Sequence, residues 1–319
     1  MQHLPWLQDA QLGAAWLTIG VFDGVHLGHQ KILKDLQAGA HAVGASAVVL
    51  SFSPHPAEVL RGPVEYFYLS SPEERAEQIA ALGIDLLITQ PFTLQLANTS
   101  ARDFVSQLVD HLGLKQLWVG HDFALGRDRQ GDIPTLIEFG KEMGFEVHPV
   151  EAVRLNGEVV SSSGIRKLLA HGKVEEAARF LGRPYALTGQ VISGAGRGRT
   201  IGIPTANLAL STQRALPALG VYVTWATLGG RRWGSLTNVG VRPTFEDKPA
   251  APLVETHLLD YDGGEFYGQD LRLDFVARLR PEQKFSGVEE LLAQIHRDID
   301  AGRLVLAERA EGWWNGTLP

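Results

Sequence analysis

Along the first 150 residues the hydrophobic pattern repeats one theme: a short continuous apolar run, a Gly-rich turn, then an amphipathic stretch. The runs AAWLTIGVF and ASAVVLSF flank DGVHLGHQKILKDLQAGAHAVG, in which Ile32, Leu33 and Leu36 fall at helical spacing. Short runs rich in Val, Ile and Leu are the pattern of strands buried on both faces, and the stretch between them reads as a crossover helix. The alternation continues with helices at SPEERAEQIAALG, SARDFVSQLVDHLG and IPTLIEFGKEMG and strands at IDLLIT, KQLWVG and FEVHPV. Ser71 or a neighbour caps the first of these helices, with Pro72 in its first turn. Five strands alternating with helices predict a Rossmann-like, doubly wound parallel sheet, with ligands at the carboxyl ends of the strands.

Beyond Arg154 the period changes. Two short helices, SSSGIRKLLAHG and KVEEAARFLG, are followed by Arg183-Pro184, which interrupts the helical pattern. Downstream, TGQVIS, GVYVTWATL, RRWGSLTNVG, VETHLL and LRLDFVARL alternate with period two between Gly, Pro or Asp turns, so this half is antiparallel β. A helix at GVEELLAQIHRDIDAG closes it, with Val288, Leu291, Leu292, Ile295 and Ile299 on one face. The expected division is 1–184 and 185–319, and 319 residues exceed what one compact core usually holds.

Composition narrows the class. A hydrophobic share of 45% with 20% charged residues is that of a globular protein, and the absence of Cys excludes disulfides and thiolate metal sites. No apolar stretch reaches the ~18 residues of a membrane span and no basic start precedes an apolar run, so a cytoplasmic protein is expected. The net charge of −7 conceals a local bias: residues 177–245 hold eight arginines and no Asp or Glu. Either an anion meets this segment or its charge pairs with acids elsewhere in the fold. Nucleic acid is not the expected partner, because few aromatics interleave these arginines and no recognition motif appears.

Candidate chemistry begins at Gly20-Val21-Phe22-Asp23-Gly24-Val25-His26-Leu27-Gly28-His29, where a strand ends and a helix begins. Free amides and the helix dipole favour an anion there, and His26 and His29 share a face of the first turn. Gly24 permits the tight turn, and Gly28 removes bulk that would hold a phosphate away. Asp23 with the two histidines is the alternative, a metal site. A second helix start, Ser161-Ser162-Ser163-Gly164-Ile165-Arg166, offers hydroxyls, amides and a guanidinium in one turn, or simple N-caps.

Together the HxGH and SSSGIR motifs resemble the nucleotidylyltransferase superfamily, in which a substrate phosphate attacks the α-phosphorus of a nucleotide in line. The resemblance sharpens with GVFDGVHLGHQ, SFSPHP, GHDFALGRDRQGD and SSSGIRKLLAHGKVEEAARFLGRPY, which look like the adenylyltransferase half of prokaryotic bifunctional riboflavin kinase/FAD synthetases. By that likeness Gly20, Phe22, His26, His29, Ser162, Ser163 and Arg166 would handle ATP and its phosphates, and Asp122 and Phe123 would lie beside the nucleotide and flavin pockets. His55 would contact phosphate or brace its loop. Leu125 stands where the family often has an aromatic.

The second half opens with GAGRGRTIGIPTAN (194–207), whose alternate glycines let amides approach phosphate while arginines add charge. Thr205 and Asn207 supply two hard oxygens two residues apart, either Mg²⁺ ligands or ordinary turn chemistry. With GVYVTWA, LTNVGVRPTF and VETHLLDYDGGEFYGQDLRLDFVARLRPEQKF, this stretch resembles riboflavin kinases, which implies a small antiparallel β-barrel. The likeness implies that Thr205 and Asn207 hold Mg²⁺ with ATP and that Gly194, Gly196, Arg197 and Gly198 cover its phosphates. It further makes Glu255 the general base toward the ribityl hydroxyl and puts Arg242 on the flavin side. Ser193 and Ala195 depart from the usual pattern. His257 faces the opposite side of its strand from Thr256 and reads as structural. The implied reactions take riboflavin and ATP to FMN, then FMN and ATP to FAD and pyrophosphate, with no membrane partner; oligomeric state is not readable.

Overall fold

The computed structural model describes residues 1–62, 67–193, 202–211, 213–241 and 252–309. Gly194, Gly196, Arg197, Gly198 and Arg242 lie outside the described residues. Two compact units make up the chain: Met1–Val64 with Ser70–Ser162, and Glu65–Leu69 with Ser163–Pro319.

In the first unit, chain order runs β1 (Gln2–Leu4), β2 (Ala15–Ile19), α1 (Leu27–Ala42), β3 (Ser46–Ser53), α2 (Pro56–Arg61), α3 (Pro72–Ala80), β4 (Leu86–Pro91) and α4 (Leu94–Ala97). It continues through α5 (Ala101–Leu112), β5 (Leu114–Gly120), the short pair β6 (Ala124–Leu125) and β7 (Gly131–Asp132), α6 (Ile133–Met143), β8 (Glu146–Val150), and the pair β9 (Arg154–Leu155) and β10 (Glu158–Val159). Six strands form one parallel sheet in the order β1-β4-β3-β2-β5-β8. The alternation expected from the sequence is present; β1, an edge strand of three residues, is too short to show a period.

Local chemistry sets the helix limits. Ser71 and Glu74 make a reciprocal capping box on α3, and Ser100 and Asp132 cap α5 and α6. Gly113 and Gly144 end α5 and α6 in the left-handed region. One sheet face buries Leu17, Leu50, Ile88 and Leu117 against Val105 and Leu108 of α5, and the other buries Val49 and Leu87 against Ile32, Leu33 and Leu36 of α1. Trp16 lies on the α1 face, where Gly39 leaves it room: a Cβ at Gly39 would sit 2.1 Å from the indole.

The second unit adds α7 (Ser162–Ala170), which starts at the last residue of the first unit, α8 (Val174–Leu181), and the strands β11 (Ala186–Ile192), β12 (Ala206–Ala209), β13 (Gly220–Leu228), β14 (Arg231–Val241), β15 (Pro252–Leu258) and β16 (Asp270–Arg280). These strands close an antiparallel barrel in the order β11-β12-β15-β14-β13-β16, and α9 (Val288–Glu308) packs against β13, β14 and β16. The unit break at Ser162 therefore precedes the sequence break at Pro184, and α8 packs on β16. Phe67 and Tyr68 belong here too, their amides donating to the Gln213 carbonyl at 2.9 and 2.7 Å.

The closing helix corrects one expectation. It does not end at Gly302 but runs six residues further, and its buried positions are Asp298, Gly302 and Leu306, while Val288 is exposed. Gly302 is where the helix meets the barrel, since a Cβ there would lie 2.7 Å from the Leu236 side chain. Close approach, not termination, is the reason for that glycine.

Inside the barrel, Thr224, Ser235, Thr237 and Thr256 are fully buried and bonded to one another. Thr224 Oγ1 lies 2.7 Å from both Ser235 Oγ and Thr237 Oγ1, and Thr237 Oγ1 donates to Thr256 Oγ1 at 3.0 Å. Buried hydroxyls require partners, and these find them only in this register.

Candidate active sites

The first site sits where the order of the parallel sheet reverses. Strand β2 runs to β3 on one side and pairs β5 on the other, so the loops after β2 and β5 flank the switch point. Residues 20–29 follow β2, and Asp122 and Phe123 follow β5. Asp122 is exposed, and Phe123 packs partly onto the core.

The loop after β2 is strained. Phe22 and Val25 have φ of 54° and 36° on either side of Gly24 at 77°, and both side chains are buried. Non-glycine residues persist there only when their surroundings over-determine them. Three serines do so: Ser51 Oγ donates to the Val21 carbonyl at 3.1 Å, Ser162 Oγ donates to the Asp23 carbonyl at 2.9 Å, and Ser70 Oγ accepts from the Gly24 amide at 3.0 Å. Asp23 is buried and accepts from the Ser70 amide at 3.1 Å and its hydroxyl at 3.3 Å. Its carboxylate thus holds the loop, and no group of three or more metal-ligating side chains occurs among the described residues.

His26 is the N-cap of α1. Its Nδ1 accepts from the His29 amide at 3.4 Å, which leaves the ring proton on Nε2. The two imidazoles stack with centroids 3.6 Å apart, and Phe22 meets His29 edge-on at 5.0 Å. Gly28 faces this stack: a Cβ there would lie 3.1 Å from the His26 ring, so the glycine also spares the ring a tight contact. Gly20 likewise faces the Phe22 ring at 3.2 Å. With no acid in its first turn, α1 presents an uncancelled positive dipole end beside two imidazoles.

Other expected groups have partners of their own. His55 caps α2, its Nδ1 accepting from the Ala57 amide at 3.0 Å, which is the bracing alternative. On α7, Ser163 is exposed, and Arg166 donates through Nε to the Phe67 carbonyl at 2.7 Å with its guanidinium 3.7 Å over the Phe67 ring.

The second site is built by register across three strands. Asn207 on β12 is the direct partner of Glu255 on β15, which is also the direct partner of Asn238 on β14. The neighbouring Thr237 and Thr256 meet inside the barrel, so strand alternation puts Asn207, Glu255 and Asn238 on the outer face. Asn207 is 4% exposed, and its Oδ1 is buried without a hydrogen-bond partner. A carboxamide oxygen left this way suits a hard cation. Thr205 is exposed, just before β12, and His257 Nδ1–H donates to the Pro204 carbonyl at 2.8 Å, pinning the residue before Thr205.

Sequence reasoning missed Ser70 and Ser51, whose partners are 46 and 30 residues away. Asn238 lies in a motif singled out for Arg242, and strand parity with Glu255 was its signal. Of the arginines without an expected role, Arg214 is buried and donates to the Ala186 carbonyl at 2.8 Å, while Arg231 and Arg232 lie over Trp233 and Trp225.

A doubly wound α/β unit with a helix amino end next to two imidazoles, and a closed barrel with a carboxylate and a cation-suited amide, are the marks of a nucleotide-dependent transferase with two sites. Family models described as FAD synthetase and riboflavin kinase match residues 8–164 and 181–306. The chain belongs to the bifunctional riboflavin kinase/FMN adenylyltransferase family. It is 38% identical to the protein of that name from Pseudomonas fluorescens over 92% of this chain and 93% of that protein, and 35% identical to the one from Listeria monocytogenes over 92% of each. A crystal structure titled as a macrolide-efflux protein from Streptococcus pneumoniae superposes with a TM-score of 0.86 at 28% identity, covering 94% of this chain and 98% of that one. Among the described residues no helix is long and apolar enough to cross a membrane.

Proposed function

We propose that residues 185–319 phosphorylate riboflavin with ATP to give FMN, and that residues 1–184 transfer the adenylyl group of ATP to FMN, giving FAD and pyrophosphate. Both activities are those of the family. The observation that carries the residue assignment is the register of Glu255 opposite Asn207, whose buried Oδ1 has no partner.

In the kinase site, Glu255 accepts the proton of the ribityl 5′-hydroxyl as its oxygen attacks the γ-phosphorus. An alkyl alcohol is too weak a nucleophile at neutral pH without such a base. Thr205 and Asn207 would hold Mg²⁺, which would supply charge neutralisation on the ATP phosphates. Gly194, Gly196, Arg197 and Gly198 cover those phosphates, and Arg242 takes the flavin side.

In the adenylyltransferase site, no covalent enzyme intermediate forms. The FMN phosphate attacks the α-phosphorus, and the protein positions the groups and stabilises charge. His26 and His29 donate to phosphate oxygens beside the amino end of α1, aided by Ser163 and Arg166. Ser162 contributes by holding the Asp23 carbonyl. Gly20 and Phe22 shape the nucleotide side, and Asp122 and Phe123 the side shared with flavin.

The test follows products chromatographically from riboflavin, ATP and Mg²⁺, with FMN expected before FAD. Glu255→Ala should abolish FMN formation and leave adenylylation of added FMN nearly intact. His29→Ala should do the reverse, with a loss of about 3 kcal/mol in transition-state stabilisation. Equal loss of both activities in either variant refutes the division.

A further inference from the structure

The kinase site contains a polar side chain to which none of the roles above assigns work. Asn238 is the direct cross-strand partner of Glu255 and projects from the same outer face of the barrel. Direct partners on neighbouring strands have Cβ atoms about 5 Å apart, within reach of one small substrate. The Asn238 carboxamide, half-buried, makes no hydrogen bond to any described residue.

Two residues further along β14, on the same face, is Gly240. A Cβ there would lie 3.1 Å from Asn238 Nδ2 and 2.4 Å from Glu282 Oε1. Gly240 is buried and does not have a positive φ, so no backbone conformation demands it. What demands it is space: the missing side chain lets an amide and a carboxylate converge over one backbone position. An amide that both donates and accepts, beside a carboxylate that only accepts, is a donor-acceptor set suited to a hydroxyl, which also does both.

We propose that Asn238, with Glu282 over the Gly240 floor, is the subsite that reads the polyol chain of the alcohol substrate. It takes a ribityl hydroxyl near the reacting one and so aligns the 5′-oxygen with Glu255. This rests on the kinase reading above and adds to it a specificity-determining residue. Asn238 binds and orients; the proton goes to Glu255.

The full-length protein tests this with Asn238→Ala and Gly240→Ala. The added methyl of the second variant meets the end of the exposed Glu282 side chain and, at 3.1 Å, Asn238 Nδ2, both of them side-chain ends, so it crowds this pair without pressing on backbone. Phosphorylation is measured with riboflavin and with flavins lacking the 2′-, 3′- or 4′-hydroxyl one at a time. Asn238→Ala should lower kcat/KM for riboflavin about tenfold, the scale of one lost neutral hydrogen bond, with KM for ATP within about twofold. For one deoxy analogue, variant and wild type should coincide, because the bond is already absent. Gly240→Ala should show the same analogue dependence with a smaller loss. Equal loss on every analogue, a shift in ATP KM instead, or no effect of either variant on riboflavin overturns the subsite. Failure of the wild type to phosphorylate riboflavin would instead overturn the kinase reading itself.

Discussion

Ser70→Ala tests how the adenylyltransferase loop keeps its shape. The loop holds two non-glycine residues at positive φ, Phe22 and Val25, and each such residue stores roughly 1–3 kcal/mol of strain. Ser70 opposes that strain through two bonds of its hydroxyl, one accepted from the buried Gly24 amide and one given to Asp23. Alanine would leave the Gly24 N–H buried without its acceptor, at a cost of about 1–3 kcal/mol, while Ser51, Ser162 and the Ser70 amide keep their bonds. A bias of about 2 kcal/mol toward a relaxed loop corresponds to a loss near thirtyfold in kcat/KM when the strained form is the competent one. The assay is adenylylation of FMN at varied FMN and ATP, with riboflavin phosphorylation by the same preparation as reference. Adenylylation should fall ten- to hundredfold with phosphorylation within about twofold. Unchanged adenylylation, or a parallel fall in phosphorylation, would refute the argument that serine hydroxyls hold a strained loop in its working form.

Three further outcomes follow from the fold. Asp298→Ala should destabilise the second unit by about 3 kcal/mol in urea unfolding, because Arg280, 14% exposed and bonded to that carboxylate at 2.7–3.1 Å, would keep a buried charge without its partner. Burial pushes the Tyr222 phenol up to about 12, so the folded state retains a proton that the unfolded chain releases from about pH 10. That stabilisation is fully present below pH 10 and lost as pH rises through 12, and Tyr222→Phe should flatten the alkaline decline of the unfolding midpoint. Gly39→Ala should cost about 1–3 kcal/mol in thermal unfolding, with a changed near-ultraviolet circular dichroism signal, as the new Cβ presses on the Trp16 ring.

What was readable in the sequence was what depends on neighbours. The βαβ alternation, a cap at or near Ser71 and the His26-x-x-His29 pair all lie within a few turns of chain, where period and capping chemistry are visible. What escaped depends on partners far along the chain. Ser70 looks like any helix-flanking serine until it is seen to bind a loop 46 residues away. Gly302 has the signature of a helix end, and only the Leu236 side chain against it shows why it lies mid-helix. Gly28 also faces the His26 ring, a neighbour that the sequence does not show, because the cap turns its ring back over the helix.

The two sites also differ in what protects their geometry. In the first, one contiguous motif is bent into an unfavourable shape and tied there by hydroxyls from three other segments, so single side chains carry it. In the second, the three groups come from strands β12, β14 and β15 with ordinary backbone, and only register brings them together. A slip of one residue would turn Glu255 into the barrel and Thr256 outward. An apolar interior would tolerate such a slip better than one filled with hydroxyls, because apolar contacts are not directional. The chain Thr224–Thr237–Thr256 is satisfied when each hydroxyl faces its present partner, and a slip would bury unpaired donors at about 1–3 kcal/mol each. The barrel's buried polar interior therefore fixes which residues reach its outer face, and the Glu255 carboxylate keeps its place through side chains that point the other way.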